Sequence, residues 1–253
     1  MSSVERHQKI LEMVQAKGYE SVINLCKKLK VSAVTVRKDL KLLEKSNKLF
    51  RIHGGASNTN PFTADRPVNE KENLQREEKK AIAVKAAQYI EPNDSIIIAS
   101  GTSLLALARE IKPSGKLTVI TSAIQVAGEL VKHANIDVLQ LGGLMRHSSS
   151  SVVGSYAENI LSDFFCTKLF LGVDGIDFGF GITTSNSMEA QLNKQMMQVV
   201  QKVIVLADHT KFGKRGFSRI CGLDEIDEII TDKNISPSIV EKCKSSGIHV
   251  TVV

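Results

Sequence analysis

Three groups of side chains in this sequence have types and spacings that can do chemistry. The first is Thr35-Val-Arg37-Lys38, with Lys41 and Lys45 following at helical intervals and Ser32 just before. Cations spaced along one helix face bind a polyanion, and the planar fork of an arginine matches the edge of a guanine. The second is Ser100-Gly101-Thr102-Ser103, placed directly after an apolar run. Backbone N–H groups opening a helix there, together with the Thr102 and Ser103 hydroxyls, can cradle a phosphate, although a bare turn would carry similar residues. The third comprises the carboxylates of Asp174, Asp177 and Glu189 with the Lys211 ammonium. Carboxylates can hold sugar hydroxyls or move protons, and Lys211 can neutralise an anion or pair with Asp208.

Other chemistries lack their residues. The chain has no HExxH, no CxxC and no GxGxxG after a strand, so neither a metal nor a dinucleotide cofactor is expected. His147, His209 and His249 read as isolated. Cys26, Cys166, Cys221 and Cys243 are far apart and read as buried thiols of a reducing, cytoplasmic compartment. Aromatic residues make up 5% of the chain and tryptophan is absent, a poor basis for stacking single-stranded bases. A continuous apolar run long enough to span a membrane, or to serve as a secretory leader, is also missing.

Residues 1–57 must position the first group. Val4, Ile10, Leu11 and Val14 recur at helical spacing, and Gly18 closes that helix. Ser21–Leu29 fits a second helix. Ser32 can cap a third that runs to about Lys45. On a wheel, Val36, Leu40 and Leu43 share the inward face of the third helix, and Val34, Arg37, Lys38, Lys41 and Lys45 share the opposite one. Lys48–His53 alternates weakly and closes at Gly54-Gly55 as a small ribbon. Three short helices and a ribbon outline a winged helix-turn-helix. Its third helix would enter the major groove with its first turns nearest the base edges. Arg37 is the candidate for guanine and Lys38 for a base or a phosphate. Val34 would meet a thymine methyl, while Ser32 and Thr35 would meet phosphate oxygens. Lys41 continues the basic face, and Arg51 and His53 would reach DNA from the ribbon. Each lysine alone reads equally well as a solvated charge, and Asp39 reads as a local salt-bridge partner. The charge distribution favours DNA: residues 1–60 hold twelve Lys/Arg against five Asp/Glu, whereas residues 61–253 hold 21 against 22.

The stretch VSAVTVRKDLKLLEKSNKLFRIHGGA, residues 31–56, resembles the signature of the DeoR family of bacterial transcriptional regulators. Lys38 stands where the family carries a second arginine, which keeps the charge and loses the fork. Asn47 stands where a glycine usually precedes the wing.

Residues 58–78 lack an apolar period and read as a linker or an arm wrapping the next domain, helical in its later part. From residue 79 to 253 short apolar runs alternate with helical segments, which implies a mostly parallel sheet covered on both faces. The runs are Ser95–Ala99, Leu117–Thr121, Asp137–Leu141, Lys168–Val173, Lys202–Ala207, Glu228–Thr231 and Ile248–Val252. Small and polar residues follow several of them: Gly101-Thr102-Ser103, Thr121-Ser122, Gly142-Gly143, Asp174-Gly175, and Asp208 through Lys211. Open parallel sheets bind small molecules at these ends.

This region resembles the DeoR-family sensor domain, itself similar to the ribose-5-phosphate isomerase fold. The resemblance implies an α/β effector-binding and oligomerising domain that senses a phosphorylated sugar, with the phosphate on Gly101, Thr102 and Ser103. It matches the family at Gly142-Gly143, Asp174-Gly175, Glu189, Asp208 and Lys211, and departs from it at Ala99 and at Thr121-Ser122. Ala99 replaces an aspartate that would bind a sugar hydroxyl.

Three functions compete. A ligand-gated repressor of carbohydrate genes explains the charge step, the third helix and the strand-end residues together. An isomerase-like enzyme with an accessory DNA-binding head would need a catalytic cation or oxyanion site, and Phe180-Gly-Ile-Thr-Thr184 offers neither. An architectural DNA binder has no use for the large α/β domain. The expected partners are operator double-stranded DNA, a small phosphorylated effector, and further copies of the chain in a homodimer or homotetramer.

Overall fold

The computed structural model describes residues 2–46, 48–52, 54–58 and 67–253. The chain forms two compact units, residues 1–64 and 65–253.

In the first unit α1 (Ser3–Lys17) starts in a capping box between Ser2 and Glu5 and ends at Gly18, whose φ of 75° suits a residue without Cβ. The strand β1 (Tyr19–Ser21) leads into α2 (Val22–Leu29), capped by Ser21. Lys30 turns the chain in the left-handed region, and Ser32 caps α3 (Ala33–Lys45). The ribbon consists of β2 (Phe50–Ile52) and β3 (Gly55–Ser57), and β1 pairs with the far side of β3. A three-residue strand with one inward side chain has no period to read, so β1 was not expected. Gly55 is required in this ribbon: a Cβ there would strike the Glu20 carbonyl and the Tyr19 ring. Ile10, Val14, Leu25, Val36, Leu40, Leu43 and Leu49 form the core, which includes the inward face read from the α3 wheel.

The second unit begins with α4 (Val68–Glu72) and α5 (Arg76–Ala87). Residues 67–78, read from the sequence as linker or arm, belong to the sensor unit, with Val68 buried. The chain continues through β4 (Ser95–Ile98), α6 (Thr102–Glu110), β5 (Leu117–Thr121), α7 (Ile124–Leu130) and β6 (Ile136–Gln140). The hairpin β7 (Leu144–Arg146) and β8 (Ser151–Val153) precedes α8 (Ser155–Leu161) and β9 (Cys166–Gly172). Next come β10 (Gly175–Asp177), β11 (Gly181–Thr184), α9 (Ser187–Gln198), β12 (Val200–Leu206) and β13 (Ser218–Cys221). The unit ends with β14 (Glu228–Thr231), α10 (Pro237–Ser245) and β15 (His249–Val252).

Seven strands make one parallel sheet in the order β15-β14-β12-β9-β4-β5-β6. Successive side chains face opposite cores: Ile97, Leu169, Leu171 and Val205 enter one, and Ile96, Ile98, Phe170 and Ile204 the other. Burial on both faces is why these strands read as unbroken apolar runs. The sheet grows one way from β4 through β5 to β6 and the other way from β9 through β12 to β15, so its switch point lies between β4 and β9. At the opposite end of the strands Glu228 is consumed structurally. It accepts from Tyr89 at 2.6 Å and Lys202 at 2.8 Å, and these partners hold its carboxyl down to about 2 against the opposing effect of burial.

The hairpin β7-β8, helix α8 and the antiparallel sheet β10-β11-β13 were not expected. Their strands are three or four residues long and bounded by or begun with glycine, so they read as loops.

Candidate DNA-binding and effector sites

Helix α3 presents Val34, Arg37, Lys38 and Lys41 to solvent, with Val34 74% exposed, while Val36 and Leu40 are buried beneath. The Ser32 hydroxyl accepts the Thr35 N–H at 3.2 Å and lies 3.0 Å from the Thr35 hydroxyl, so the two form one cap at the start of the basic face. Arg37 and Arg51 line a common groove with Val22, Cys26 and Lys27. Arg51 is steadied by Glu44, which takes its N–H at 3.0 Å and lies 3.5 Å from its guanidinium. His53, the Asn47 turn and the Lys45 side chain lie outside the described residues.

Asp39 is not a local partner of its own helix. It is buried and turned to α1, where Arg6 donates to it twice and His7 Nε2 lies 2.9 Å away. Burial pushes its pKa up, but the hydrogen bonds and charges of Arg6 and His7 win, and it lies below the ordinary value.

The effector residues divide. Gly101, Thr102, Ser103, Asp174, Glu189 and Lys211 line one cavity of about 70 Å³, sited outside the carboxyl ends of β4 and β9. Crevices at such switch points are the usual ligand sites of open α/β sheets. Thr121, Ser122, Gly142, Gly143 and Gly175 are not in its lining. Thr121 turns its hydroxyl to the Ala123 N–H at 3.1 Å, and the Ser122 carbonyl accepts the Val152 N–H. Gly143 and Gly175 serve close packing: a Cβ would lie 2.8 Å from Val152 Cγ1 or 2.5 Å from the Lys214 carbonyl oxygen. Asp177 faces elsewhere and caps its own turn, bound by Arg215 at 2.9 Å and by the Gly179 and Phe180 N–H groups.

The cavity also contains residues that the sequence did not single out. Val68 and Lys71 come from α4, and Ser148 and Ser149 from the β7-β8 turn. Arg146 lies 2.5 Å from Glu189 and neutralises it. Asp174 accepts from Lys71 Nζ at 3.1 Å, from the Ser185 N–H at 3.0 Å and from the Thr184 hydroxyl at 3.2 Å. Burial alone would raise its pKa; Lys71 and Lys211 outweigh that and hold it near 2. Lys211 forms no ion pair with any described residue, and Asp208 instead takes the Thr210 N–H and hydroxyl. Lys79 is buried behind, donating to the Lys71 carbonyl, and burial together with the Lys211 charge brings its pKa down to about 8.

Two histidines are not isolated. His209 Nδ1 lies 2.9 Å from Asp232, and His249 Nδ1 lies 3.1 Å from Glu228. Glu78 approaches the His209–Asp232 pair, so three ligand-type atoms lie within 4.8 Å of one another. Asp232 already accepts backbone N–H bonds from His209 and Asn234, which makes it a clamp between β12 and β14.

A basic winged helix-turn-helix joined to a parallel sheet with a polar cavity at its switch point defines a DNA-binding regulator with a sensor domain. The chain belongs to the DeoR family: residues 6–61 match the DeoR-like helix-turn-helix domain, and residues 74–233 match the DeoR C terminal sensor domain. It is 36% identical over 253 residues to the uncharacterized HTH-type transcriptional regulator YulB of Bacillus subtilis, covering 100% of this chain and 98% of that one. It is 33% identical to a putative aga operon transcriptional repressor of Escherichia coli O157:H7, covering 98% and 93%. The glycerol-3-phosphate regulon repressor of Escherichia coli K12 is 27% identical, with 95% of each covered. Among solved structures, ribose 5 phosphate isomerase A from Neisseria gonorrhoeae aligns over 56% of this chain and 56% of its own, at 17% identity and a TM-score of 0.41. A likeness at that level transfers no activity. The chain is a sequence-specific DNA-binding transcriptional regulator. Among the described residues no helix is long and apolar enough to cross a membrane.

Proposed function

We propose that this regulator is a cytoplasmic repressor of carbohydrate-catabolism genes, released from its operators by a phosphorylated sugar or related metabolite. The observation that carries this reading is the cavity between the ends of β4 and β9. There the opening turn of α6 presents Gly101, Thr102 and Ser103, with Lys211 across the cavity making no ion pair to a described residue. Helix-opening N–H groups need an anion or water in any case, so a phosphate gains hydrogen bonds with little rearrangement. Asp174 and Glu189 supply acceptors for hydroxyl groups at the other end. The name of the related glycerol-3-phosphate regulon repressor is in keeping with a phosphorylated effector.

On the DNA side Arg37 reads a guanine and Lys38 a base or phosphate, with Val34 against a thymine methyl. Ser32, Thr35, Lys41, Arg51 and His53 position the head on the backbone. One winged helix buries little DNA surface, so the working form is a homodimer or homotetramer assembled through the sensor units. A thermal-shift screen of pentose, hexose and triose phosphates on the full chain tests the effector reading. A ligand at about 100 times its Kd adds about 2.7 kcal/mol of stability. The shift is expected with the phosphate and not with the free sugar; a panel without any shift contradicts the reading.

A further inference from the structure

Helix α4 is the first described element after residues 59–66, the stretch that leads from the DNA-binding unit. Two of its ties to the sensor unit lie at the cavity. The Val68 N–H donates to the Ser148 carbonyl at 2.6 Å, and Lys71 Nζ reaches Asp174 at 3.1 Å. Lys79 Nζ holds the Lys71 carbonyl at 2.5 Å, and Glu72 meets Arg109 at 2.7 Å. Val68 is the one side chain of α4 that is fully buried, so polar contacts carry most of the attachment.

The cavity measures about 70 Å³, narrow beside the roughly 300 Å³ and more of sites for small metabolites. A ligand with more than its phosphate inside would press on the wall that is held least firmly. The walls from β4, β9 and α6 are continuous with the two cores of the sheet, with Ile98, Leu104 and Phe170 buried just behind them. The wall from α4 has no such backing. Moreover Lys71 occupies Asp174, the carboxylate best placed to accept a polyol hydroxyl.

We propose that α4 is a latch on the effector site: a ligand that fills the cavity takes Asp174 from Lys71 and frees α4, and the freeing of α4 lowers operator affinity. This rests on the reading of the cavity as the effector site. Lys71 is then the residue that couples the two. Crowding of Lys71, Lys79 and Lys211 keeps the latch close to release, because an anion entering among them rewards any rearrangement that brings the ammonium groups onto it.

The test uses the full chain and operator DNA selected by it from random sequence. Lys71→Met is expected to speed hydrogen exchange of the amides of residues 68–74 by about tenfold or more without any ligand. It is expected to weaken operator binding about fivefold or more, and Lys71→Arg to restore both. Wild-type protection of these amides in Lys71→Met overturns the latch, as does wild-type operator affinity with the amides freed. A second arm adds the panel of sugar phosphates to the wild-type chain. A phosphate that raises the melting temperature while residues 68–74 stay protected overturns the latch and leaves the effector site standing. If no phosphate binds, the effector reading fails, and the Lys71→Met arm alone decides whether α4 controls the head.

Discussion

The guanidinium of Arg6 on α1 grips the carboxylate of Asp39 on α3, Nε to Oδ2 at 2.5 Å and Nη2 to Oδ1 at 3.0 Å. Asp39 lies within the basic run Arg37-Lys38-Asp39, yet it points inward while its neighbours point out. The pair fixes the rotation of α3 about its axis, and that rotation decides which side chains meet a DNA groove. A carboxylate inside a DNA-reading motif is thus explained by orientation of the helix, not by contact with DNA.

Asp39→Asn is therefore expected to cost about 2 kcal/mol, the scale of hydrogen bonds to a charged group. It is also expected to weaken DNA binding without removing a DNA contact. The pH dependence has a definite sign. The folded pKa of Asp39 lies below the ordinary 3.8, so its stabilisation is complete above that value and is lost as pH falls through the lower folded value. Acid melting curves of wild type and Asp39→Asn should stay apart above the ordinary 3.8 and draw together as pH falls below it.

Arg37→Ala removes the exposed fork next to the Ser32 cap and leaves the core of Val36, Leu40 and Leu43 intact. Operator preference over random DNA is expected to fall by about 1–3 kcal/mol with an unchanged melting temperature. Competition binding at fixed salt reads this. Lys41→Ala should instead weaken both DNAs alike and lower the salt slope by about one.

Lys79 gives a stability slope at alkaline pH. Its folded pKa of about 8 lies below the ordinary 10.5, so between these values the unfolded chain binds a proton that the folded chain does not. Stability from this group therefore rises with pH across that window. The Cys221 thiol, pushed up to about 12 by burial, acts in the opposite sense above its ordinary 9, so the comparison must be between variants. Lys79→Met should lack the rise that wild type shows. Binding of an anionic effector should raise the Lys79 pKa, and calorimetry near pH 8.5 in two buffers should register proton uptake in wild type but not in Lys79→Met.

The elements were legible wherever one periodicity ran long enough. The third helix announced itself through Ser32, the apolar face of Val36, Leu40 and Leu43, and the cations opposite. The parallel strands announced themselves because both of their faces are apolar. Short strands such as Tyr19–Ser21 and Gly175–Asp177 carry no period and stayed hidden. In the cavity at the switch point, Gly101, Thr102, Ser103, Asp174, Glu189 and Lys211 were visible as small or charged residues after strands. Lys71, which lines the cavity, and Arg146, which pairs with Glu189, were not, because each comes from an element distant in sequence: Lys71 from a stretch that looked like linker or arm, Arg146 from an unrecognised hairpin. Thr121, Ser122, Gly142, Gly143 and Gly175 lie outside the lining of this cavity, and of these Thr121 and Ser122 serve a turn and a backbone pairing and Gly143 and Gly175 close packing.

Lys211→Ala should weaken a phosphorylated effector about tenfold or more and leave operator affinity in its absence unchanged, since Lys211 holds no described carboxylate. Thermal shift with the phosphorylated and the free sugar separates the two ends of the ligand: the loss should appear for the phosphate alone.

The central claim is that one ligand site gates one DNA-binding head, and linkage tests it directly. The sugar phosphate giving the largest thermal shift would be titrated calorimetrically into the free chain and into the chain saturated with operator. The expected result is an effector affinity about tenfold or more weaker in the operator-bound state, matched by an equal loss of operator affinity when effector is present. Equal effector affinities in the two states would contradict gating, however tightly the ligand binds.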